Sequence, residues 1–349
     1  MAGKLLSKDI LEKQRREIGF KDPVIFEKAV YALNLHACLL EYYPNLIFKG
    51  GTAILLYSFP PVRFSIDIDI LLEEKERKEL EKSLKALIDN SNLFKSVEED
   101  KRKSDIPKSH YKFYYNSKYT VVEQYVLLDI VFCDNPYHKL IKKNLNSLPL
   151  LILNEELQVR IPTPEGLFGD KMAAISPDTI GIPLNEKREM EFVKQVIDLG
   201  GLFNLIGNTE DIGKTFSGVA KIENKFRKSN HSEEKILGSI VDLAFKYSQF
   251  LLKGSKDTYQ ETEYLNNGLK RVRNHLASSY NTNDLKLTFA KIVYICRIIR
   301  EKISTEIIKN VDYGRIKSKA LEGKYKILER LKKTNPDAYF YWILGTVLD

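Results

Sequence analysis

Residues 48–72, FKGGTAILLYSFPPVRFSIDIDILL, decide how this chain is read. Asp67 and Asp69 take alternate positions in Ser65-Ile66-Asp67-Ile68-Asp69-Ile70-Leu71-Leu72, a run whose isoleucines predict a strand. Residues two apart on a strand share a face, so the carboxylates are expected side by side, about 6–7 Å apart. Their like charges repel, and the pair calls for a positive partner. Oxygen ligands suit Mg²⁺, which takes one or two carboxylates and completes its octahedron with water and phosphate oxygens. Just upstream, Lys49-Gly50-Gly51 leads into a short helix that Thr52 is expected to cap. Backbone without side chains at a helix start can approach phosphate closely and turn N–H groups toward it. An anion cradle followed by Arg63-x-Ser65-x-Asp67-x-Asp69 is far more specific than a Gly-Gly pair alone.

Around this stretch the pattern alternates between helix and strand. Residues 24–43 carry apolar side chains at helical intervals, residues 45–48 form a short strand, and Pro60-Pro61 stops the helix after Thr52. Residues 73–89 predict a charged helix with Leu80, Leu84, Leu87 and Ile88 on one face. Strands are expected in LFKSVEE, HYKFYYN and VVEQYVLLDIVF, the last two joined at Asn116-Ser117, and again over residues 157–162. Thr163-Pro164-Glu165 opens a helix, GLFGDKMAAI, and EKREMEFVKQVIDL forms another that Gly200-Gly201 should end. The stretch NLIGNTEDIGKTFSG predicts a linker. Everything after it predicts helices, including YGRIKSKALEGKYKILERLKK. An α/β N-terminal domain, residues 1–204, followed by a helical bundle, residues 205–349, is the expected organisation.

Hydrophobic content of 43% can fill a core, so the chain is not a disordered one. No run approaches the roughly 18 apolar residues of a membrane span, and the first residues lack the apolar segment of a signal peptide. With Cys38, Cys133 and Cys296 widely separated, the pattern is that of reduced core cysteines in a cytoplasmic protein, without a membrane partner. The five histidines fall at no zinc-site spacing. Residues 1–204 hold 29 Lys and Arg against 30 Asp and Glu, whereas residues 205–349 hold 26 against 17. All the excess positive charge of the +8 chain lies in the C-terminal part. Such a division suits chemistry in one part and capture of a polyanion by the other.

KGGTAILLYS…RFSIDIDILL resembles the AbiEii/AbiGii toxin family, within the DNA polymerase β-like nucleotidyltransferase superfamily and type IV toxin–antitoxin systems. The resemblance extends over roughly residues 30–205. It implies an α+β fold, a nucleotidyltransferase-type mixed sheet with flanking helices followed by the helical bundle. It also implies a third acid on a neighbouring strand, for which Asp129 in VLLDIVF is the candidate, with Leu127 and Val131 on its own face. GDKMAAI and KQVIDLGGL are similar to later motifs of the family. Lys171 would match a lysine that neutralises triphosphate charge, and Lys194 with Asp198 would match a basic-x-x-x-Asp pair one helical turn apart. Gln195 stands where the family usually has an acid.

The implied activity is pyrophosphate-releasing transfer of a nucleoside monophosphate from an NTP, with Mg²⁺ or Mn²⁺ on Asp67, Asp69 and Asp129 in a two-metal arrangement. The implied nucleotide contacts are Lys49, Gly50, Gly51, Thr52, Arg63, Ser65, Lys171, Lys194 and Asp198. An RNA acceptor, a tRNA 3′ end in particular, fits the basic C-terminal part. Lys270, Arg271 and Arg273 in LKRVRNHL are candidate contacts, as is the stretch RIKSKALEGKYK. A cognate antitoxin is the other implied partner. The competing readings are nucleotidyl transfer to a protein hydroxyl, in the chain itself or a partner, and a nucleotide-binding regulator without catalysis. Loss of the third acid would favour the regulator.

Overall fold

The computed structural model describes residues 7–101, 106–145, 148, 150, 157–255, 259–303 and 305–347. Thr258 and Ser304, at the ends of two expected helices, lie outside them. The backbone divides into two compact units. One comprises Met1–Asn135, Lys139–Thr163 and Asn274–Ser278; the other comprises Pro136–His138, Pro164–Arg273 and Ser279–Asp349.

The first unit is built on a mixed seven-stranded sheet of order β3-β4-β5-β2-β1-β7-β6. The strands are β1 (Ile47–Lys49), β2 (Ile68–Leu72), β3 (Ser96–Glu99), β4 (Lys108–Tyr115), β5 (Gln124–Phe132), β6 (Leu140–Asn144) and β7 (Gln158–Pro162). Strands β2 and β5 are parallel, as are β1 and β7; the remaining neighbours are antiparallel. Alternation sets which face is buried. Phe48, Ile68, Ile70, Phe113, Tyr115, Leu128 and Ile130 join one core with helix α2 (Pro23–Tyr42) and with Leu80, Leu84 and Leu87 of α4 (Leu80–Asn90). Helix α1 (Lys8–Ile18) packs on α2.

The expected elements of this unit are present, helix α1 is an addition to them, and four further differences appear. Thr52 is not a cap: the short helix α3 (Gly50–Ala53) starts after Lys49, and Thr52 lies inside it. Residues 74–79 wind as a 3₁₀ segment before α4. The β4–β5 connection spans residues 116–123 rather than closing at Asn116-Ser117. There Glu27 of α2 accepts hydrogen bonds from Ser117 Oγ (2.5 Å) and Lys118 N (2.6 Å), which holds the longer loop. Strand β6 was not expected, because LIKKN has neither alternation nor β-branched density; it is an edge strand carrying two lysines.

One helix, α2, is long and apolar enough by length and composition to cross a membrane, contrary to the expectation of no such run. It is mostly buried here, carries Glu27, Asn34 and His36 inside the core, and reads as a core helix.

The second unit is helical: α5 (Pro164–Ala174), α6 (Glu189–Phe203), α7 (Thr209–Phe226), α8 (Glu233–Ser248), α9 (Gln260–Arg271), α10 (Thr282–Glu301), α11 (Leu331–Thr334) and α12 (Pro336–Thr346). Trp342 is fully buried among them and donates its indole N–H to Ser248 Oγ at 3.1 Å. Apart from Pro136–His138, this unit takes up the chain at Pro164, so α5 and α6 are grouped with the later helices. Helices α5 and α6 sort with the bundle because their partners are there: α5 packs on α7, and α6 on α9 and α10.

Three glycine-based expectations also change. Helix α6 runs past Gly200-Gly201 to Phe203, since Gly200 serves packing: a Cβ there would meet Thr288 Oγ1 of α10 at 2.7 Å. The expected linker is helix α7, opened by Asn208, whose Oδ1 accepts from the N–H groups of Glu210 and Asp211. Its buried Ile212, Thr215, Phe216, Val219 and Ala220 follow helical spacing that the glycines and polar residues concealed. Conversely, residues 313–330 contain 3₁₀ segments instead of a long helix, and Gly323, at φ +54°, opens the second of them.

Candidate active site

Register brings the acids together. In the parallel pair of β2 and β5, Asp69 lies opposite Asp129. In the antiparallel pairs on either side, Lys49 lies opposite Asp69 and His110 opposite Asp129. Cross-strand partners share a face, so Lys49, Asp69, Asp129 and His110 form one row across β1, β2, β5 and β4, about 5 Å apart at Cβ. All four are half-buried. Their strand neighbours Phe48, Ile68, Ile70, Leu128 and Ile130 point the other way, into the core. A slip of one residue would drive Asp69 and Asp129 into that core and expose the isoleucines. Burial of the apolar face therefore holds the two like charges side by side.

His110 was not among the sequence candidates. Its Nδ1 lies 2.5 Å from Asp129 Oδ1, and since a carboxylate oxygen accepts, the ring nitrogen is assigned the proton and donates. The alternation of HYKFYY put His110 on one face with Lys112 and Tyr114, but only pairing with β5 sets it against Asp129.

Asp67 stands one residue before β2 rather than inside the strand. Its carbonyl accepts from Thr52 Oγ1 at 2.5 Å, which ties α3 to the lead-in of the Asp-x-Asp stretch. Lys28 of α2 is a second residue that the sequence did not single out. Burial pulls its ammonium below the usual lysine value, and the carboxylate of Asp67 opposes that shift.

The two glycines have a role that motif reading did not reveal. Gly50 has φ +75°, and a Cβ on it would overlap the Asp69 carboxylate. A Cβ on Gly51 would come within 2.5 Å of Arg63 Nη2 and 2.9 Å of Ser65 Oγ. Glycine at both positions thus leaves room for three side chains of the candidate set: Asp69, Arg63 and Ser65. Arg63 and Ser65 are both buried.

The remaining candidates lie in the second unit. Lys171 of α5 is buried, with Nζ 2.8 Å from Asp198 Oδ2 and donating to Gln195 Oε1 at 2.9 Å, both on α6. Asp198 joins α6 to α5 through this contact, and Gln195 adds to the lysine's hydrogen bonding. Lys270, Arg271 and Arg273 are all exposed, and Arg271 Nη1 donates to Glu189 Oε2 at 3.1 Å.

Among the described residues no three His, Cys, Asp or Glu side chains converge closely enough to cage a metal alone. What the row offers is two neighbouring carboxylates, the donor set of a Mg²⁺ that brings water and phosphate oxygens of its own.

Residues 35–267 match the family described as nucleotidyl transferase AbiEii toxin, type IV TA system. This chain belongs to that family. It is accordingly a nucleotidyltransferase of a toxin family, and the AbiEii match takes in the acid row as well as Lys171 and Asp198. Among solved structures it is similar to MenT4, a nucleotidyltransferase toxin from Mycobacterium tuberculosis H37Rv. The TM-score is 0.53 at 9% identity, over 97% of this chain and 99% of that one. It is also similar to JHP933 from Helicobacter pylori, at 17% identity over 85% of this chain and 94% of that one, with a TM-score of 0.43. MenT4 bears on the fold alone. No curated protein matches the sequence.

Proposed function

We propose that this AbiEii-family enzyme transfers a nucleoside monophosphate from an NTP to an RNA acceptor, specifically a tRNA 3′ end. The observation that carries the reading is Asp69 opposite Asp129 in register, two carboxylates kept adjacent at a repulsive cost. Asp67, Asp69 and Asp129 would hold Mg²⁺, or Mn²⁺ in its place. Bound there, the cation would neutralise triphosphate charge and favour an ionised acceptor hydroxyl.

The chain's own groups then divide the work. Lys49, the Gly50-Gly51-Thr52 turn, Arg63 and Ser65 orient the triphosphate. His110 fixes Asp129 through Oδ1, leaving Oδ2 to receive the proton of the attacking hydroxyl. Attack in line on the α-phosphorus forms the new P–O bond and breaks the bond to pyrophosphate. Positioning and charge compensation supply most of the acceleration. Lys171 and Asp198 enter this proposal as a coupled pair, because each satisfies the other. Lys194 on α6 joins them as a nucleotide contact.

Residues 1–204 would carry the chemistry and residues 205–349 would capture the acceptor, since 26 Lys and Arg against 17 Asp and Glu favour a polyanion. Substrates of this kind place the reaction in the cytoplasm. A cognate antitoxin of the type IV kind would restrain it.

The test is incubation with each labelled NTP, total RNA and Mg²⁺, followed by separation of RNA from protein. Label on small RNA, lost with a chelator, is expected. Label confined to protein would replace the acceptor by a protein hydroxyl, and label on neither would refute the transfer reading.

A further inference from the structure

The sheet face that carries the acid row continues along β5 toward its start. Tyr125 lies on that face four residues before Asp129, about 13 Å away along the strand, and is 38% exposed. Its cross-strand partner is Tyr114, edge-on with ring centroids 5.8 Å apart. Two ammonium groups attend the Tyr125 ring: Lys28 Nζ at 4.8 Å and Lys112 Nζ at 5.4 Å from the centroid. Leu127 and its partner Lys112 fill the interval to Asp129 and His110. The buried positions 126, 128, 130 and 132 already hold β5 in the core, so this half-exposed ring is not needed for the fold. An aromatic ring with cations on an open sheet face has the chemistry that holds an unpaired base beside its phosphates.

The direction of the reaction says which base. In-line displacement sets the attacking hydroxyl and the departing pyrophosphate on opposite sides of the α-phosphorus. Gly50 and Gly51 follow β1, on one flank of the carboxylates, whereas Tyr125, Lys112 and His110 stand on β5 and β4, on the other. With the triphosphate on the glycine flank, as the proposed function has it, the acceptor enters over β5 and β4. We infer that Tyr125, flanked by Lys28 and Lys112, stacks on an unpaired base at the 3′ end of the RNA acceptor while the terminal hydroxyl meets Asp129. An interval of about 13 Å along the strand is longer than the reach from a terminal hydroxyl to its own base, so the stacked base is that of a preceding nucleotide.

Acidic neighbours temper the site. Asp100 Oδ1 lies 3.4 Å from Lys112 Nζ, Glu98 accepts from the Tyr114 hydroxyl at 2.9 Å, and Asp67 lies beside Lys28. Stacking therefore supplies more of the binding than phosphate pairing, and discrimination among bases is weak because every base has a π-face.

The experiment uses the full chain and Tyr125→Ala and Tyr125→Phe variants. Two quantities are read: KM for RNA and for NTP in the transfer assay, and the dissociation constant of a short fluorescent single-stranded RNA with a free 3′ end. Tyr125→Ala is expected to weaken both RNA constants by roughly ten- to a hundred-fold, the worth of one stacked base, with KM for NTP unchanged. Tyr125→Phe should stay close to wild type. A raised KM for NTP with RNA binding intact would assign the ring to the incoming nucleotide and overturn the inference. Unchanged constants in Tyr125→Ala would overturn it as well. Should wild type label no RNA with any NTP, the acceptor reading fails on that result alone. The oligonucleotide measurement then still decides whether Tyr125 holds an unpaired base.

Discussion

Two charged clusters in this molecule are built on opposite principles. In the first unit, Asp69 and Asp129 are like charges held together by strand register, half-buried, with Lys49 and His110 at the ends of their row. In the second unit, Lys171 and Asp198 are opposite charges sealed inside the helices, each nearly inaccessible, with Gln195 taking a further hydrogen bond. In the buried pair each charge is met by the other, whatever further contact it makes. The row sets two like charges side by side, and burial of the apolar face beneath it holds them in that register. Motif matching put all four residues in one candidate set. Their surroundings separate them.

The widest gap between the two should appear on removing one acid from each. Asp69→Ala is expected to cut transfer by on the order of 10³-fold, with an unfolding midpoint in chelator equal to or above wild type, since repulsion is relieved. Full activity in that variant would remove the row from the chemistry. Asp198→Ala should do its damage to stability, lowering it by about 3–5 kcal/mol by leaving a buried ammonium without its counter-charge. Adding Lys171→Met to that background should restore most of the stability in a urea titration. If Asp198→Ala unfolds like wild type, the ion pair is not sealed from water.

A third expectation concerns the support beneath the row. His36 is fully buried, stacked on Phe48 at 3.9 Å, and neither ring nitrogen has a hydrogen-bond partner among the described residues. Burial lowers its pKa to about 3. The folded chain keeps the ring neutral where the unfolded chain protonates it, so stability falls as pH drops below about 6.5, by about 1.4 kcal/mol per unit. His36→Phe should remove that dependence. Urea midpoints for wild type and variant should diverge between pH 7.5 and pH 5 in favour of the variant, and parallel curves would show that His36 takes up its proton equally in the folded and unfolded chain.

The smallest effect is expected at the exposed cations. Replacing Lys270, Arg271 and Arg273 together should flatten the salt dependence of RNA binding, by about 0.7–0.9 in log–log slope for each phosphate no longer neutralised. Arg271, already paired with Glu189, should contribute least. NTP affinity measured by calorimetry should not move. An unchanged slope would return the positive charge of this region to ordinary solvation.

Much of this enzyme was legible in one dimension. The Gly-Gly turn, the Asp-x-Asp strand and the lone acid of VLLDIVF announce themselves, because alternation and the cost of burying a charge are local properties. The reading failed where glycine was taken as a stop: α6 runs through Gly200, and α7 occupies the presumed linker. Glycine breaks a helix or lets another element approach, and only the neighbour across the interface, Thr288 in the case of Gly200, decides which.

The sequence by itself determined which residues can carry charge on a strand face, and it placed Asp67, Asp69 and Asp129 there within about one residue. It could not determine that Asp69 faces Asp129, that His110 donates to Asp129, that Gly50 leaves space for a carboxylate, or that Lys171 is sealed by Asp198. Each of those depends on pairing between segments far apart in the chain. The apolar face selects that pairing by burying Phe48, Ile68, Ile70, Leu128 and Ile130 together, and the polar face is carried into register with it.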